Sequence, residues 1–280
     1  MRTLVIKLAG IVEDNDLLKL GELRLSITPV DGQSTQRFQI SSAEPVTLEI
    51  TGDGTFTENG AKKLELDAVT NKWIEFTNGT FRLSLMNKEA LTKLNFFEDY
   101  NHVVRSGLDL SQLRTMKQLE YLDTERGYLT GDISALAGMS KLKLLKLFNT
   151  LTGDISLIGT NMPLLEHFQT INCPLTGSTA TFNNLTKLQQ LHLYRCRVTS
   201  KLADFGRCTA LKQINLLWSS SGDIEALAGL TNLERLAIES TPAVTGDTSS
   251  LAHLHPNNGG KLATFLYSGS GITGTWPPSA

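Results

Sequence analysis

The hexapeptide Leu-Thr-Gly-Asp-Ile-Ser occurs twice in this chain, at residues 129–134 and again at residues 151–156. Its Thr-Gly step returns, intact or as Thr-Ser or Ser-Gly, at intervals of 22 to 28 residues until the end of the chain. The seven copies begin at Thr130, Thr152, Thr176, Thr199, Ser221, Thr245 and Thr273. A repeat with a period of roughly 20–50 residues is the signature of a solenoid or a propeller, so this half of the chain is predicted to be a repeat array.

A ladder of apolar residues with a spacing of about three, three, three, three and two recurs in the repeats, in ladders that begin at Ile133, Phe182, Leu202 and Ile224. In the first copy it comprises Ile133, Leu136, Met139, Leu142, Leu145 and Leu147. Steps of three fit a 3₁₀-like arm, and the final step of two fits a strand. One such coil buries too few apolar side chains to offset the entropy of ordering it, so the coils are predicted to stack and to pair their strands.

The segment Leu-Gln-Gln-Leu-His-Leu-Tyr-Arg-Cys-Arg-Val at residues 188–198 resembles the leucine-rich repeat, L-x-x-L-x-L-x-x-N/C-x-L. The trailing L-T-G-D-I resembles plant-type repeats, and it is similar to the short repeats of about 23 residues in proteins of gut Bacteroidetes and their phages. The resemblance covers about residues 108–276. It implies an α/β solenoid of about seven coils with a parallel sheet.

Two further segments are predicted to close the ends of the solenoid. Residues 87–104 have the apolar pattern of an amphipathic helix, and residues 87–107 are predicted to be a helical cap or connector. At the other end, Trp276 is predicted to cover the last core layer, while Pro277 and Pro278 cannot extend a sheet. The solenoid with its C-terminal cap is therefore assigned to residues 108–280.

Residues 1–86 have a different sequence pattern, in which short β-rich runs are separated by Asp-Gly and Asn-Gly turn signals. The runs begin at Thr3, Glu22, Gln36, Pro45, Lys63, Lys72 and Thr80. They predict a small all-β, sandwich-like domain, which resembles no family that we recognise. The first run is predicted to be a strand rather than a signal peptide, because Lys7 interrupts its apolar residues and no small-residue cleavage site follows.

Composition excludes several classes of function. The chain has 26 basic and 28 acidic residues and a net charge of −2, so it lacks the basic excess that binds nucleic acid. No apolar run approaches the roughly 20 residues that span a bilayer. The expected location is therefore a virion or the cytoplasm, without export through a cleaved signal peptide. The three cysteines suggest no disulfide framework.

No residue pattern predicts catalysis or a cofactor. Cys173 and Cys196 share one repeat position, which favours a buried small residue bonded to a turn over a metal ligand. Asp132 and Asp154 are predicted to cap turns, with a calcium ladder as the alternative. The other aspartates at this step are Asp223 and Asp247. His167 and His192 are predicted to lie on the open face without a nucleophile motif nearby.

The open, concave face of the sheet is the predicted partner-binding surface. The position just after the predicted strand of each repeat holds Glu125, Phe148, Ile171, Tyr194, Leu217, Glu239 and Ser268. We call Phe148, Ile171, Tyr194 and Leu217 the apolar stripe. Arg195, Trp218, His167 and His192 are predicted to join it in binding. An exposed apolar stripe with a polar rim usually marks a contact surface, although packing under the chain's own loops is the alternative.

The predicted function is recognition or assembly without enzymatic activity. A structural or attachment component, such as a phage virion decoration or fibre protein, is the first hypothesis, and a homo-oligomer would fit it. The second is a free intracellular leucine-rich-repeat module that binds one protein ligand. An enzyme would require a polar pocket in the β domain that the sequence does not reveal. The expected partner is a protein, with no metal or cofactor.

Overall fold

The structure, a computed structural model, describes residues 22–27, 35–52, 55–56, 63–77, 81–95, 108–125, 128–218 and 220–277. Its largest element is a sheet of eleven strands, seven of which come from the repeats. Those seven are β9 (Tyr121–Asp123), β10 (Leu144–Phe148), β11 (His167–Ile171), β12 (Gln190–Tyr194), β14 (Gln213–Leu217), β16 (Arg235–Glu239) and β18 (Thr264–Leu266). Each is parallel to its neighbours in the order of the chain. The predicted solenoid of seven coils is confirmed.

Apolar residues of the predicted ladder form one continuous core. The second residue of each strand lies in register with the second residue of the next strand, and all of them are buried. This core column consists of Leu122, Leu145, Phe168, Leu191, Ile214, Leu236 and Phe265. Stacking thus buries the faces that a single coil would leave in water.

Short helical arms return the chain from one strand to the next. Most are 3₁₀ helices: Leu110–Leu113, Ile133–Leu136, Thr179–Asn184, Leu202–Phe205, Ile224–Leu227, Thr248–Leu254 and Pro256–Asn258. One arm is a single short α-helix, α1 (Ser156–Asn161). Four short strands line the corner before the later arms, namely β13 (Ser200–Lys201), β15 (Ser220–Asp223), β17 (Val244–Asp247) and β19 (Gly271–Thr273). The step of three along the ladder is therefore the 3₁₀ period.

The Thr-Gly-Asp step builds the corner turn that precedes each arm. The Asp132 carboxylate accepts a hydrogen bond from the Ser134 backbone N–H at 2.8 Å, and the Thr152 hydroxyl of the next coil donates to it at 3.3 Å. Asp154, Asp223 and Asp247 cap their arms in the same way. The capping role is confirmed. In the described part of the chain, no group of three or more potential metal ligands comes together.

The N-terminal part consists of strands, as predicted. They are β1 (Glu22–Ile27), β2 (Thr35–Ser42), β3 (Val46–Gly52), β4 (Thr55–Phe56), β5 (Lys63–Leu66), β6 (Lys72–Thr77), β7 (Phe81–Met86) and β8 (Leu91–Asn95). One antiparallel sheet has the order β1-β7-β3-β5, and the order β8-β2-β6-β4 continues the solenoid sheet. Val46 of the first sheet and Ile40 and Ile74 of the second belong to one hydrophobic core, as in a sandwich. The strand predicted to begin at Thr3 lies outside the described residues.

The helix predicted for residues 87–104 is wrong over the residues that the structure describes. Residues 88–90 form a 3₁₀ turn and residues 91–95 form β8, while residues 96–104 lie outside the described part. The spacing of Leu91 and Leu94 suits a helix, but it also matches the L-x-x-L that opens a repeat. The strand forms because β8 pairs with β2 on one side and with β9 on the other. β8 therefore covers the first sheet edge of the solenoid, which a helix was predicted to do.

The C-terminal end is closed by Trp276, as predicted. Its ring packs edge-on against Phe265 of the core column, with ring centroids 5.4 Å apart, and against His255 at 5.2 Å. One sheet thus runs from the β-rich part through every coil, across the predicted boundaries at residues 86 and 107. The division of the chain into separate domains stays a prediction.

Candidate partner-binding face

Strand alternation places the predicted site residues on the open face of the sheet. Phe148, Ile171, Tyr194 and Leu217 are paired in register from β10 to β14, and Glu239 of β16 continues the row. His167 is the first residue of β11 and His192 is the middle residue of β12, and both lie on the same face of the sheet as the stripe. The structure therefore brings the predicted residues onto one surface, while their role in binding stays a prediction.

Exposure varies along the apolar stripe. Phe148 is only 7% exposed, so its assignment to an exposed stripe is wrong. Side chains of adjacent coils stand about 4.8 Å apart, and the Phe148 ring lies between those of the preceding and following coils. Ile171, Tyr194 and Leu217 are half-buried, and Trp218 is 51% exposed. The accessible apolar surface therefore lies on the third to fifth coils.

The residue after each stripe position forms a strand-end turn with left-handed backbone. The φ angles are 66° at Asn149, 56° at Asn172, 52° at Arg195, 72° at Trp218 and 55° at Ser240. The backbone N–H of Asn172, for example, donates to the Tyr194 carbonyl of the next coil at 3.0 Å. Asparagine tolerates this conformation, whereas most other side chains pay roughly 1–2 kcal/mol for it. Arg195 and Trp218 thus occupy strained positions.

Tyr194, Arg195 and Trp218 form what we call the aromatic–arginine cluster. The Tyr194 and Trp218 rings are stacked with centroids 5.9 Å apart and planes inclined by 26°. The Arg195 guanidinium carbon lies 4.5 Å from the Trp218 centroid and 5.1 Å from that of Tyr194. No carboxylate of the described residues forms an ion pair with Arg195. The face of the guanidinium therefore contacts the two rings, and the N–H donors along its edge remain available to solvent.

The two histidines belong to a polar region beside the stripe. His192 Nε2 lies 3.0 Å from Asn215 Nδ2. Burial is the main cause that lowers the pKa of His192 and of His167, and the nearby Lys146 ammonium lowers both further, while Glu166 opposes the shift at His167. Lys146 is itself paired with the buried Asp123 carboxylate at 2.8 Å. In the described residues, no serine or cysteine side chain hydrogen-bonds to either ring.

The cysteines are buried thiols that fasten turns, as predicted. Cys173 Sγ lies 3.5 Å from the Ile171 carbonyl, and Cys196 Sγ lies 3.3 Å from the Tyr194 carbonyl. Both acceptors belong to stripe residues, so these thiols hold the ends of β11 and β12. Burial raises the pKa of Cys173 to about 11 and that of Cys208 to about 12, which leaves these two thiols protonated and unreactive.

The structure adds residues that the sequence prediction missed. A depression of about 250 Å³ lies beside the stripe, and its lining includes Gln169, Asn215, Arg235 and Ala237. These residues alternate with core residues along their strands, so counting every second position in each repeat would have found them. The prediction followed the last strand position and the two histidines, so on the other side of the depression it found only His192.

Comparisons with known proteins find similarity only among solved structures. No family model matches the chain, and no curated protein matches it. Internalin F of Listeria monocytogenes is 22% identical with a TM-score of 0.45, covering 68% of this chain and 58% of its own. Internalin C2 of the same organism is 16% identical with a TM-score of 0.47, covering 68% and 77%.

A plant receptor gives a similar result. The ectodomain of the Arabidopsis receptor kinase HAESA, solved with an N-terminally extended IDA peptide hormone ligand, is 22% identical with a TM-score of 0.49. The match covers 61% of this chain and 29% of HAESA, and the match to internalin F likewise spans little more than half of that protein. Across the residues that the structure describes, no helix has the length and hydropathy to span a membrane.

Proposed function

We propose that this leucine-rich-repeat solenoid is a non-enzymatic recognition protein that binds a protein partner through the aromatic–arginine cluster and the adjoining stripe residues Ile171 and Leu217. One observation carries the proposal, namely that Arg195 and Trp218 are exposed and strained at a position where neighbouring coils use Asn, Ser or Gly. Strained backbone that persists at an exposed site is typical of functional positions.

Stability alone gives a poor account of the cluster. A left-handed residue costs roughly 1–2 kcal/mol, and an exposed cation–π contact returns about 0.5–1 kcal/mol. The strain at Arg195 and Trp218 totals about 2–4 kcal/mol, and the two cation–π contacts and the ring stacking return about 1.5–3.5 kcal/mol, so the cluster adds little or no net stability. Tyrosine, tryptophan and arginine are the residues that most often carry binding energy at protein interfaces. A partner that buries the cluster would recover the energy that the free chain loses.

We further propose that the chain is a structural or attachment component, with a phage virion decoration or fibre protein as the specific form. The continuous sheet supports this, because it joins the β-rich part to the repeats without a flexible break among the described strands. The β-rich part would then anchor the chain and the open face would meet the partner. A monomeric chain that is absent from particle fractions would favour the alternative of a free intracellular binding module.

The test of the binding face combines Tyr194→Ala with Trp218→Ala. Binders would be selected on the wild-type chain from a random-peptide display library, and their Kd would be measured against each variant. We expect the double substitution to weaken binding by at least 100-fold, since each anchor residue at an interface is worth about 2 kcal/mol or more. The thermal midpoint should fall only modestly, because Trp218 is 51% exposed and Tyr194 is half-buried rather than part of the core.

Tyr128→Ala is the matched control, because Tyr128 is also exposed, aromatic and left-handed but lies in an earlier coil. Its effect on binding should be less than threefold. Binders that retain full affinity for the double variant would contradict the proposal. A large fall in the midpoint would instead assign the cluster to the core.

A further inference from the structure

The depression beside the stripe is a groove that crosses four strands. Ile171, Tyr194 and Leu217 form one wall, and Gln169, His192 and Asn215 form the other. Both walls follow residues paired in register on β11, β12 and β14, so the groove runs across the strands. Four strands span about 14 Å, which is the length of about four extended residues.

Residues of β16 close one end of this groove. Arg235, Ala237 and Glu239 all face the open side, because they are two residues apart on one strand. Ala237 is small and only 3% exposed, so it leaves space between the two charged side chains. Arg235 stands on the side of the amide wall and Glu239 on the side of the apolar wall. The end of the groove therefore carries a positive and a negative group on opposite sides.

These two charges are not matched within the described residues. Their Cα atoms are about 13 Å apart along the strand, which is too far for them to pair with each other. Neither side chain forms an ion pair or hydrogen bond with another described residue. A neutral ligand that filled the groove would desolvate both charges without compensation, which is costly. The charges therefore favour a ligand that carries both signs.

The amide wall has unused hydrogen-bonding capacity. The Asn215 amide nitrogen is in contact with His192 Nε2, and the Asn215 Oδ1 atom is buried without a partner among the described residues. An amide both donates and accepts, as a peptide backbone does. A backbone N–H in the groove could donate to this buried oxygen once the Asn215 side chain rotates toward the ligand. The apolar wall, in turn, suits an aliphatic side chain.

We propose that the groove binds an extended segment of the partner protein that carries one acidic and one basic side chain on opposite sides of the chain. The acidic group pairs with Arg235 and the basic group with Glu239, and an apolar residue packs on Leu217 and Tyr194. Side chains on opposite sides of an extended chain are an odd number of positions apart. The inference rests on the proposed function, since it names the segment that this face recognises.

The experiment uses the full chain and a random-peptide display library. Peptides that bind the wild type should be enriched in an acidic and a basic residue one or three positions apart. Arg235→Gln should weaken a representative peptide at least tenfold, and the same loss should follow when the acidic residue of the peptide becomes Gln. Combining both changes should add little further loss, because each removes the same pair. Glu239→Gln and the basic residue of the peptide should behave likewise.

Arg207→Gln and Glu225→Gln are the charge controls, because both residues are exposed on the arms and away from the groove. Both should leave the affinity within threefold. Peptides without the two charges, or binding unaffected by Arg235→Gln and Glu239→Gln, would overturn the inference. If such peptides still lost affinity for the Tyr194→Ala/Trp218→Ala variant, the proposed function would stand. If the wild type selected no peptide over that variant, both proposals would be contradicted.

Discussion

Most of the described coils contain two left-handed turns, one at the corner and one at the strand end, and the residues at the two turns differ sharply. At the corner turn the left-handed position is glycine, as at Gly153 with φ 118° and Gly177 with φ 85°. At the strand-end turn the left-handed residues, which also have positive φ angles, include Asn172, Arg195 and Trp218. Backbone geometry alone would favour glycine or asparagine at both turns. The difference must therefore come from what surrounds each position.

Lack of space for a side chain explains why the corner turn contains glycine. A Cβ atom on Gly153 would lie 2.7 Å from Asp132 Oδ1 of the preceding coil, and one on Gly177 would lie 2.0 Å from Asp154 Oδ1. Those carboxylates are held in place because they cap the arms of their own coils. A side chain at the corner would thus incur both backbone strain and the loss of a cap.

Exposure explains why the strand-end turn tolerates large residues. Arg195 and Trp218 extend into solvent, so their cost is only that of the left-handed backbone. The corner is constrained by packing between coils, and the strand end is free to vary. A bulky residue at the strand end therefore reflects a requirement other than folding, which we assign to partner recognition.

The largest expected effect is that of alanine at a corner glycine. Gly177→Ala should destabilise the chain by about 2–3 kcal/mol, the sum of the left-handed penalty and a weakened cap. The urea midpoint of unfolding measures this change. Gly229→Ala is the control, because a Cβ atom there meets nothing within 4 Å and the φ angle is not left-handed. Equal midpoints for the two variants would show that the corner is not constrained by packing.

A smaller effect is expected from removing one corner cap. Asp132→Ala should cost about 1 kcal/mol at pH 7. The hydrogen bond from the Ser134 N–H is the main cause that lowers the pKa of Asp132 in the folded chain. Its contribution is therefore fully present above the unfolded pKa of about 3.9 and is lost as the pH falls through the lower folded pKa.

The difference in urea midpoint between wild type and Asp132→Ala should accordingly shrink below pH 4. Glu234→Ala is the control, because that exposed carboxylate caps no arm, and it should change stability by less than about 0.5 kcal/mol. A difference that persisted unchanged at pH 3 would show that the carboxylate charge is not what stabilises the turn.

The smallest effect is expected at the strand-end turn. Trp218→Asn should change stability by less than about 1 kcal/mol, because relief of the left-handed strain offsets the lost contacts with Arg195 and the Tyr194 ring. Asn172→Ala at the equivalent position should lower stability by a similar amount. The urea midpoints of both variants provide the measurement. A loss of more than 1 kcal/mol for Trp218→Asn would mean that the cluster stabilises the fold.

The sequence alone predicted the repeat period, the core ladder and the aspartates that cap the arms, because each of these depends on local spacing. Leu145, Phe168 and Leu191 recur at the period of the coil, and Asp132 lies immediately before its arm, so these roles could be read without coordinates. Six of the seven strands predicted in the β-rich part are present as well, since alternation and turn residues are also local signals.

Other features depended on contacts between distant residues. The apolar spacing of Leu91 and Leu94 suits both helix and strand, and pairing with β2 and β9 decided in favour of the strand. Phe148 matches the pattern of an exposed stripe, yet in the packed solenoid it is only 7% exposed. The groove exists because stacking sets Ala237 beside the larger Asn215 and between two charges. Local periodicity thus determined the solenoid, while burial and the placement of charges across strands were decided only when the coils packed together.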